Sequence, residues 1–497
     1  MNTTKTQESE RIKLNQTNLK ITVIGTGYVG LVTGAGLAEW GSKVTCVDKD
    51  VRKIDLLKRG IMPLYEEGLE DVVGRNVGRS RLSFSTNLAE AVSESDIIYI
   101  AVGTPSGKNG EANLTYLHAA MKQVLLSITG YAVIVIKSTV PVGTAAELRR
   151  LGRSCGVDDS QFDIVSNPEF LRQGTAVYDC LNPSRVIVGC NSMHALEIMR
   201  RIYRPLKERN LPFMETTNET AELIKYAANS FLAVKIAFIN EMANLCERLN
   251  ADVRVLSQAL GMDKRIGPSF LNPGPGFGGS CLPKDVSALI HTAKSAKYNW
   301  RIGKAVTQSN RNQKKNVVEK ARMMLGSLKG KHIAVLGMAF KAGTDDTRES
   351  PALYIIKKLR SCGAKVCAYD PAAMESAKRS LRKIVYANSP YEACAGVDLL
   401  LVLTEWPEFK KLNFIWIRKL MARPYILDTR NLLDCEVLDH LGFVYAANGC
   451  GSIESVVEKI EALEAEAKEL RLRPIEHASQ SRRAAKSKLA VLPMAAK

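Results

Sequence analysis

Residues 20–30 read Lys-Ile-Thr-Val-Ile-Gly-Thr-Gly-Tyr-Val-Gly, and this stretch is the strongest indication of the fold. The apolar run Ile21 to Ile24 predicts a buried strand, and Gly25, Gly27 and Gly30 follow it in the pattern G-x-G-x-x-G. The first glycine of this pattern makes a tight turn, the second lets the backbone approach a pyrophosphate, and the third lets the next helix pack against the strand. The stretch therefore predicts a dinucleotide site at a helix N-terminus.

An acid at the end of the second predicted strand indicates which dinucleotide binds. Asp48 follows the strand Lys43 to Val47 and lies 23 positions after Gly25. A carboxylate at about this spacing binds the adenosine ribose hydroxyls and repels a 2′-phosphate, so we predict NAD and not NADP. The alternative is a glycine turn whose acid only caps a loop, and Lys53 just beyond it is by itself a surface lysine.

Short apolar runs alternate with helical patterns from Leu19 onward, and the alternation begins again near His332. Such alternation is typical of parallel sheets wound with helices. Between the two regions, Glu219 to Asn250 contains no Gly or Pro and is apolar at three- and four-residue intervals, which predicts one helix of roughly 45 Å. We predict an α/β protein with two Rossmann-like parallel-sheet domains joined by a long central helix.

The same patterns predict the domain boundaries. The expected segments are a flexible N-terminal arm (1–19), an NAD-binding Rossmann domain (20–205), a central helical dimerisation domain (206–320), a second Rossmann-like domain (321–450) and an exposed helix followed by a basic disordered tail (451–497).

Composition limits the classes of function. The chain of 497 residues has no run of 18 apolar residues, and its polar N-terminus does not resemble a signal peptide, so we expect a protein of the cytoplasm that does not span a membrane. Its eleven cysteines include no C-x-x-C pair, which does not indicate disulfides or a metal site. A net charge of +18 suits anionic ligands. Nucleic acid is the alternative, but the densest basic cluster is a tail without aromatic residues.

A second informative stretch is Gly-Gly-Ser-Cys-Leu-Pro-Lys-Asp at residues 278–285. Pro283 predicts the opening of a helix, so Cys281 would lie at a helix N-terminus, where the pKa of a thiol is lowered. Asp285 would then lie one turn further on the same face. On the central helix, Lys225 and Asn229 also have i, i+4 spacing. The alternatives are an inert cysteine and a solvated polar face.

Three segments resemble the UDP-glucose/GDP-mannose dehydrogenase family: residues 167–172 (Asn-Pro-Glu-Phe-Leu-Arg), 222–229 (Glu-Leu-Ile-Lys-Tyr-Ala-Ala-Asn) and 278–285. The resemblance covers about residues 20–450. Residues 270–274 (Phe-Leu-Asn-Pro-Gly) and 182–186 (Asn-Pro-Ser-Arg-Val) are more similar to the UDP-glucose branch. Gln173 and Ser184 stand where the family often has acids, which bears only on the identity of the substrate.

The resemblance implies an NAD-dependent four-electron oxidation of UDP-glucose to UDP-glucuronate, through an aldehyde, a thiohemiacetal and a thioester on Cys281. Lys225 and Asn229 would stabilise the negative oxygen of each step, and Asp285 would act with a bound water. The implied catalytic residues are Cys281, Lys225, Asn229, Asp285, Thr139 and Glu169.

The resemblance also implies two binding sets. For NAD, the motif and the resemblance together indicate Gly25, Gly27, Val29, Gly30, Asp48, Lys53, Thr104, Thr139, Glu169, Lys284 and Arg348. For the sugar nucleotide, the resemblance implies Glu169, Phe170, Leu171, Arg172, Gln173, Lys225, Asn229, Arg265, Phe270, Leu271, Asn272, Pro273, Gly274, Gly278, Lys341 and Arg430.

The second α/β region supports the sugar-nucleotide site independently. Its first strand leads into Gly-Met-Ala-Phe-Lys at residues 337–341. This is a nucleotide-binding turn that lacks the second and third glycines of the dinucleotide motif and has a lysine, so we predict that it binds UDP and not a dinucleotide. The resemblance implies that Arg265 reaches the substrate of a neighbouring subunit, so we expect a homodimer or a higher homo-oligomer.

Two other enzymes stay open as alternatives. One is the same chemistry on UDP-N-acetylmannosamine or GDP-mannose. The other is a single-step β-hydroxyacid dehydrogenase, which needs neither the nucleophile Cys281 nor the second nucleotide domain with Lys341.

Overall fold

Two parallel sheets organise the chain, which a computed structural model describes over residues 19–107 and 109–472. The first sheet has eight strands in the order β3-β2-β1-β4-β5-β6-β7-β8, and all neighbours are parallel except β6 and β7. Its first six strands follow the 3-2-1-4-5-6 order of dinucleotide-binding domains. The strands are β1 (Lys20–Ile24), β2 (Lys43–Val47), β3 (Leu82–Ser85), β4 (Ile97–Ile100), β5 (Ala132–Ile136), β6 (Phe162–Ser166), β7 (Val186–Gly189) and β8 (Phe213–Thr216).

The second sheet repeats this order with six parallel strands, β11-β10-β9-β12-β13-β14. This repetition confirms the prediction of two Rossmann-like parallel-sheet domains. The strands are β9 (His332–Leu336), β10 (Lys365–Tyr369), β11 (Val385–Tyr386), β12 (Leu399–Val402), β13 (Tyr425–Asp428) and β14 (Val444–Ala447).

Helices cover both faces of each sheet and form the central domain. Those of the first domain are α1 (Tyr28–Glu39), α2 (Val51–Lys58), α3 (Leu69–Gly78), α4 (Leu88–Ser93), α5 (Thr115–Ser127), α6 (Thr144–Ser154), α7 (Ala176–Leu181), α8 (Met193–Ile202) and α9 (Arg204–Lys207). The central helices are α10 (Asn218–Leu249), α11 (Val253–Met262), α12 (Leu282–Ser295) and α13 (Arg301–Leu325). The second domain adds α14 (Pro351–Ser361), α15 (Met374–Ser380), α16 (Pro390–Ala393), a 3₁₀ turn (Pro407–Lys411), α17 (Phe414–Leu420), α18 (Cys435–His440) and α19 (Ile453–Leu472).

The predicted long helix is confirmed as α10, which runs for 32 residues. The Thr217 side chain caps its first turn by accepting a hydrogen bond from the Thr220 amide, and Asn250 ends it in the left-handed conformation. One face of α10 packs against α12 and α13, and its first half also contacts the first sheet. The helix therefore carries side chains from the first domain into the space between the two sheets.

Three boundaries differ from the prediction. The first sheet extends past residue 205, because β8 pairs with β7 from Val186 opposite Phe213 to Gly189 opposite Thr216. Leu19, predicted to end the arm, packs in the core of the first domain. The helix α19, predicted to be exposed, packs on the second domain through Ile460, because its apolar residues recur on one face. Residues 1–18 and the basic tail after residue 472 lie outside the described residues.

Each sheet places its nucleotide-binding turn at the carboxyl end of its first strand. The strand order reverses between β1 and β4 and again between β9 and β12. Ligands of open parallel sheets bind beyond the carboxyl ends of the strands at such a reversal. The turns at 25–30 and 337–341 lie at these two points.

Candidate active site

The first turn has the geometry of a pyrophosphate site. Gly25 has φ +101°, and a Cβ there would lie 2.7 Å from the carbonyl oxygen of Ala101. A Cβ at Gly30 would lie 1.8 Å from the Gly25 oxygen, so only glycine lets α1 pack this closely. In the part of the chain that the structure describes, a Cβ at Gly27 would have no heavy atom within 4 Å apart from its chain neighbours and nearby helix backbone. The open space at Gly27 and the N-terminus of α1 therefore fit a pyrophosphate group.

Asp48 holds this turn from the end of β2. Its Oδ2 accepts hydrogen bonds from the amide of Thr26 at 2.8 Å and the Thr26 hydroxyl at 2.7 Å, while Oδ1 accepts from the Asp50 amide at 3.0 Å. Burial alone would raise the pKa of Asp48, but these bonds outweigh it and the pKa is lowered. Asp48 thus caps the loop. Among the described residues, Oδ1 accepts only the hydrogen bond from the Asp50 amide, so it keeps a lone pair that can accept from a ribose hydroxyl.

The second turn repeats this arrangement. Gly337 has φ +95°, and the amides of Met338 and Ala339 donate to Oδ2 of Asp370 at 2.6 and 2.9 Å. Asp370 follows β10 as Asp48 follows β2. Lys341, at the end of the turn, reaches the first domain and donates to the carbonyl oxygen of Gln173 at 2.5 Å. The two turns are thus built alike, and the second adds a cation.

Four predicted catalytic side chains from three segments meet in one buried cluster. Nζ of Lys225 lies 3.0 Å from Oε1 of Glu169, and Asn229 donates to Oδ2 of Asp285 at 2.6 Å. Lys284 lies 2.7 Å from Oδ1 of the same Asp285. Burial lowers the pKa of Lys225, but Glu169 together with Cys281 and Asp285 outweighs burial, and the pKa is raised. Lys225 is therefore a permanent cation beside the two acids.

Cys281 adjoins this cluster at the N-terminus of α12, as predicted. The residue is accessible, yet protein atoms surround the thiol on most sides. The expected lowering of its pKa is wrong. Burial and the negative charges of Glu169 and Asp285 raise the pKa of Cys281, and they outweigh Lys225 and the Ser280 hydroxyl, which lower it. The thiol is thus protonated at neutral pH until a charge near it changes.

Buried amide side chains hold the loop that precedes Cys281. The Gly274 amide donates to Oδ1 of Asn240 at 2.8 Å, and Gln313 donates to the Gly274 oxygen at 2.9 Å. Asn310 binds the backbone of Phe277 in both directions, at 2.8 and 3.0 Å. The loop is therefore positioned by α10 and α13 and does not depend on its own flexible sequence.

Two cavities flank the loop. One of about 590 Å³ is lined by Glu169, Phe170, Lys225, Asn229 and Phe270 among others. A second of about 600 Å³ lies between α11 and the second domain, where Asn272, Pro273, Arg254 and Arg430 line it. Arg430 is held by the carbonyl oxygens of Leu403 at 2.9 Å and Phe340 at 3.2 Å.

Some of the remaining predicted residues are bonded within the fold, and others lie on the surface away from the cluster. Thr104 and Thr139 are linked by a hydrogen bond of 2.8 Å, and Arg348 pairs with Asp346 at 2.6 Å. Lys53 lies 4.0 Å from Asp48 on the surface. Arg265 is not brought into the cluster, since its side chain is 89% exposed and pairs with its neighbour Asp263.

Sequence reasoning missed Asp346 and Glu66, which join segments of the site. Gln173 donates to Asp346 across the domains at 3.1 Å, and Glu66 accepts from the Gly174 amide at 2.8 Å. Asp346 could have been noticed from its place next to the predicted turn. Glu66 carries no local signal, because its partners Tyr28, Gly174 and Ala176 all lie far from it in the sequence.

These features define an NAD-dependent dehydrogenase of nucleotide-linked substrates, since the chain combines two nucleotide-binding turns with a buried lysine, amide and carboxylate cluster beside a cysteine at a helix N-terminus. Comparison with known proteins agrees with this class. Residues 19–207, 219–312 and 334–435 match the NAD binding, central and UDP binding domains of the UDP-glucose/GDP-mannose dehydrogenase family. The chain belongs to this family.

Individual relatives match over most of their length. A UDP-glucose 6-dehydrogenase of Bacillus subtilis is 47% identical over 86% of this chain and 93% of its own. Another from Rhizobium meliloti is 44% identical over 87% and 99%. The structure of a UDP-glucose dehydrogenase from Pyrobaculum islandicum matches with a TM-score of 0.79 and 36% sequence identity, and the match covers 84% of this chain and 95% of that one. The structure of a UDP-D-ManNAc dehydrogenase from Pyrococcus horikoshii matches with a TM-score of 0.77 and 27% sequence identity, and the match covers 86% of this chain and 99% of that one.

Proposed function

We propose that the protein oxidises UDP-glucose to UDP-glucuronate with NAD. The observation that carries this proposal is the placement of Cys281 beside Lys225, Glu169 and Asp285, the last of which is bonded to Asn229. A cysteine is not needed for a single oxidation of an alcohol, but it lets an aldehyde be held and oxidised again. The arrangement therefore favours a four-electron oxidation.

The residues of the first turn fit NAD. The open position at Gly27, the N-terminus of α1 and the lone pair on Asp48 would hold its pyrophosphate and ribose. Val29, Lys53, Thr104, Thr139, Glu169, Lys284 and Arg348 complete the proposed binding set. When bound, NAD supplies the hydride acceptor for both oxidations.

Cys281 performs the covalent chemistry. Its sulfur bonds to the carbonyl carbon of the aldehyde to form a thiohemiacetal, and the second oxidation converts this to a thioester. Water then breaks the carbon–sulfur bond and releases the carboxylate and the thiol. Because the pKa of the thiol is raised, its proton must move first, and the carboxylates of Glu169 and Asp285 are the buried bases that act on it.

Lys225 and Asn229 stabilise the oxygen on which negative charge develops. Lys225 uses one of its three protons on Glu169, and Asn229 uses one of its two amide protons on Asp285. Both residues are buried and keep protons for a substrate oxygen. Thr139 and a water held by Asp285 complete the proposed catalytic set.

The sugar nucleotide is proposed to lie across the two domains. Lys341 and Arg430 supply cations for UDP, and residues 270–274 with Gly278 contribute backbone. The sugar would contact residues 169–173 with Lys225 and Asn229. Glucose is favoured over N-acetylmannosamine as the sugar because relatives 44–47% identical are UDP-glucose 6-dehydrogenases, whereas the UDP-D-ManNAc dehydrogenase is 27% identical.

A homodimer or a higher homo-oligomer is proposed to form through α10. Phe231, Phe238 and Leu245 recur every seven residues on this helix and are 64, 47 and 45% exposed. Large apolar side chains that recur exposed on one helix face mark an interface. Arg265 would then reach a partner subunit's substrate. Phe238→Glu should reduce the mass measured by light scattering, whereas Leu126→Glu, at a leucine of α5 that is 76% exposed, should not.

The deciding experiment measures the NADH formed per UDP-glucose consumed. We expect two NADH per sugar from the wild type and almost no turnover from Cys281→Ser. Cys362→Ser is the matched control, because Cys362 is exposed at the end of α14. One NADH per sugar with an unaffected Cys281→Ser variant would overturn the role of Cys281. Turnover only with another nucleotide sugar would keep the chemistry and change the substrate.

A further inference from the structure

Tyr28 occupies a variable position of the glycine motif, yet its side chain leaves the cofactor turn. Its hydroxyl donates to Oε2 of Glu66 and accepts a hydrogen bond from the Gly174 amide at 3.1 Å. The carbonyl oxygen of Arg172 lies 3.2 Å from the same hydroxyl. One side chain therefore joins the first turn of α1 to residues 172–174, which follow Glu169.

Glu66 completes the link. It is 7% exposed, and it accepts from the Gly174 amide at 2.8 Å and from the Ala176 amide at 2.5 Å. Its two oxygens thus hold the segment at 174–176 as a helix cap would. Removing the Tyr28 hydroxyl leaves these two bonds in place, so the segment would remain folded but would lose its connection to the cofactor turn.

The same segment continues to the second domain. Gln173 donates to Asp346 at 3.1 Å, and Lys341 donates to the Gln173 oxygen at 2.5 Å. A Cβ at Gly174, where φ is +85°, would lie 2.8 Å from the Gly343 oxygen. Residues 172–174 are therefore held between the turn proposed to bind NAD and the turn proposed to bind UDP.

We propose that Tyr28 is a positioning residue that couples cofactor binding to substrate binding through Glu66 and Gly174. This inference rests on the proposed function. A pyrophosphate at the N-terminus of α1 would immobilise the first helical turn, which includes Tyr28. The hydroxyl would then hold residues 172–174 in place. The sugar nucleotide would bind to a site that is already ordered, and its binding would therefore cost less conformational entropy. Coupling of this kind is reciprocal.

The test uses the full-length protein with NADH and UDP-glucose, a pair that cannot react because both are the reduced partners. Calorimetry gives the Kd of UDP-glucose without NADH and with saturating NADH. In the wild type we expect NADH to tighten UDP-glucose binding about tenfold. In Tyr28→Phe the ratio should fall below about twofold, while the Tm and the Kd of UDP-glucose alone change little.

Tyr131→Phe is the matched control, because it removes a hydroxyl bonded to Asp163 at 2.7 Å near the strands β5 and β6. It should keep the wild-type ratio. Glu66→Gln should lose the coupling as Tyr28→Phe does. Equal ratios in the wild type and Tyr28→Phe, or no coupling in the wild type, would overturn this inference alone. Failure of the wild type to bind UDP-glucose would overturn the proposed substrate as well.

Discussion

Nζ of Lys225 and Oε1 of Glu169 lie 3.0 Å apart in a buried ion pair, and both charges act on the thiol of Cys281 in opposite directions. Glu169 raises the pKa of the thiol and Lys225 lowers it. The reactivity of Cys281 is thus set by a balance between two neighbours from different segments of the chain.

This balance predicts opposite shifts from two substitutions. Lys225→Met should raise the pKa of Cys281 further, so less thiolate is present at a given pH and alkylation slows. Glu169→Gln should lower the pKa and speed alkylation, because the nucleophile is the thiolate. The measurement is the rate of iodoacetamide labelling of Cys281 against pH, followed by mass spectrometry.

Lys235→Met serves as control for this pair, since Lys235 lies on the same helix and binds the carbonyl oxygens of Ile266 and Gly267. Its labelling profile should match the wild type. Shifts of the same sign in Lys225→Met and Glu169→Gln would contradict the electrostatic explanation.

Substitutions of the second and third glycines of the turn should have different effects, one on cofactor binding and the other on stability. Gly30→Ala forces a Cβ to within 1.8 Å of the Gly25 oxygen, and such overpacking should lower the free energy of unfolding by about 3 kcal/mol. Gly27→Ala meets open space, so stability should be kept while the added methyl group weakens NAD binding at least about tenfold. Denaturant unfolding and NAD titration of both variants separate the two effects. A stable Gly30→Ala variant would show that the helix can move away.

Gln173→Glu should weaken substrate binding. The Gln173 amide donates to Asp346, and a carboxylate there would face another carboxylate at about the same distance. A repulsion of roughly 1–2 kcal/mol between partly buried charges corresponds to a loss of about tenfold in affinity. The KM for UDP-glucose reports it, with the exposed Gln308→Glu as control. An unchanged KM for Gln173→Glu would show that this contact between domains is absent during turnover.

The buried pair Lys320–Glu247 predicts a larger loss of stability than a surface pair. Lys320 also donates to Asn448 at 3.0 Å, and Glu247 accepts from the Gly449 amide at 2.7 Å, so the pair joins α10 and α13 to the second domain. Lys320→Met should lower the free energy of unfolding by about 3–5 kcal/mol, because it leaves a buried charge unpaired. Arg322→Met, which breaks an exposed pair with Glu319, should leave the Tm almost unchanged. Equal effects of the two on the Tm would rule out a special contribution of the buried pair.

The predictions that rest on local patterns agree with the structure. The strand β2 has the predicted bounds, and α10 differs from its prediction by one residue at each end. The edge strand β8 was missed because its short sequence has no regular alternation. The burial of α19 was missed because a polar composition hid the apolar face that carries Ile460.

Local patterns were enough to predict the two Rossmann-like domains, the central helix and the types of residue at the site, because glycine turns and apolar periodicity act over a few neighbouring residues. The tertiary structure was needed to show that Glu169 raises the pKa of Cys281, that Asp48 is already engaged by Thr26, and that Tyr28 reaches Gly174. These facts depend on distances between residues far apart in the chain. Charge and burial act through such distances, which no local pattern records.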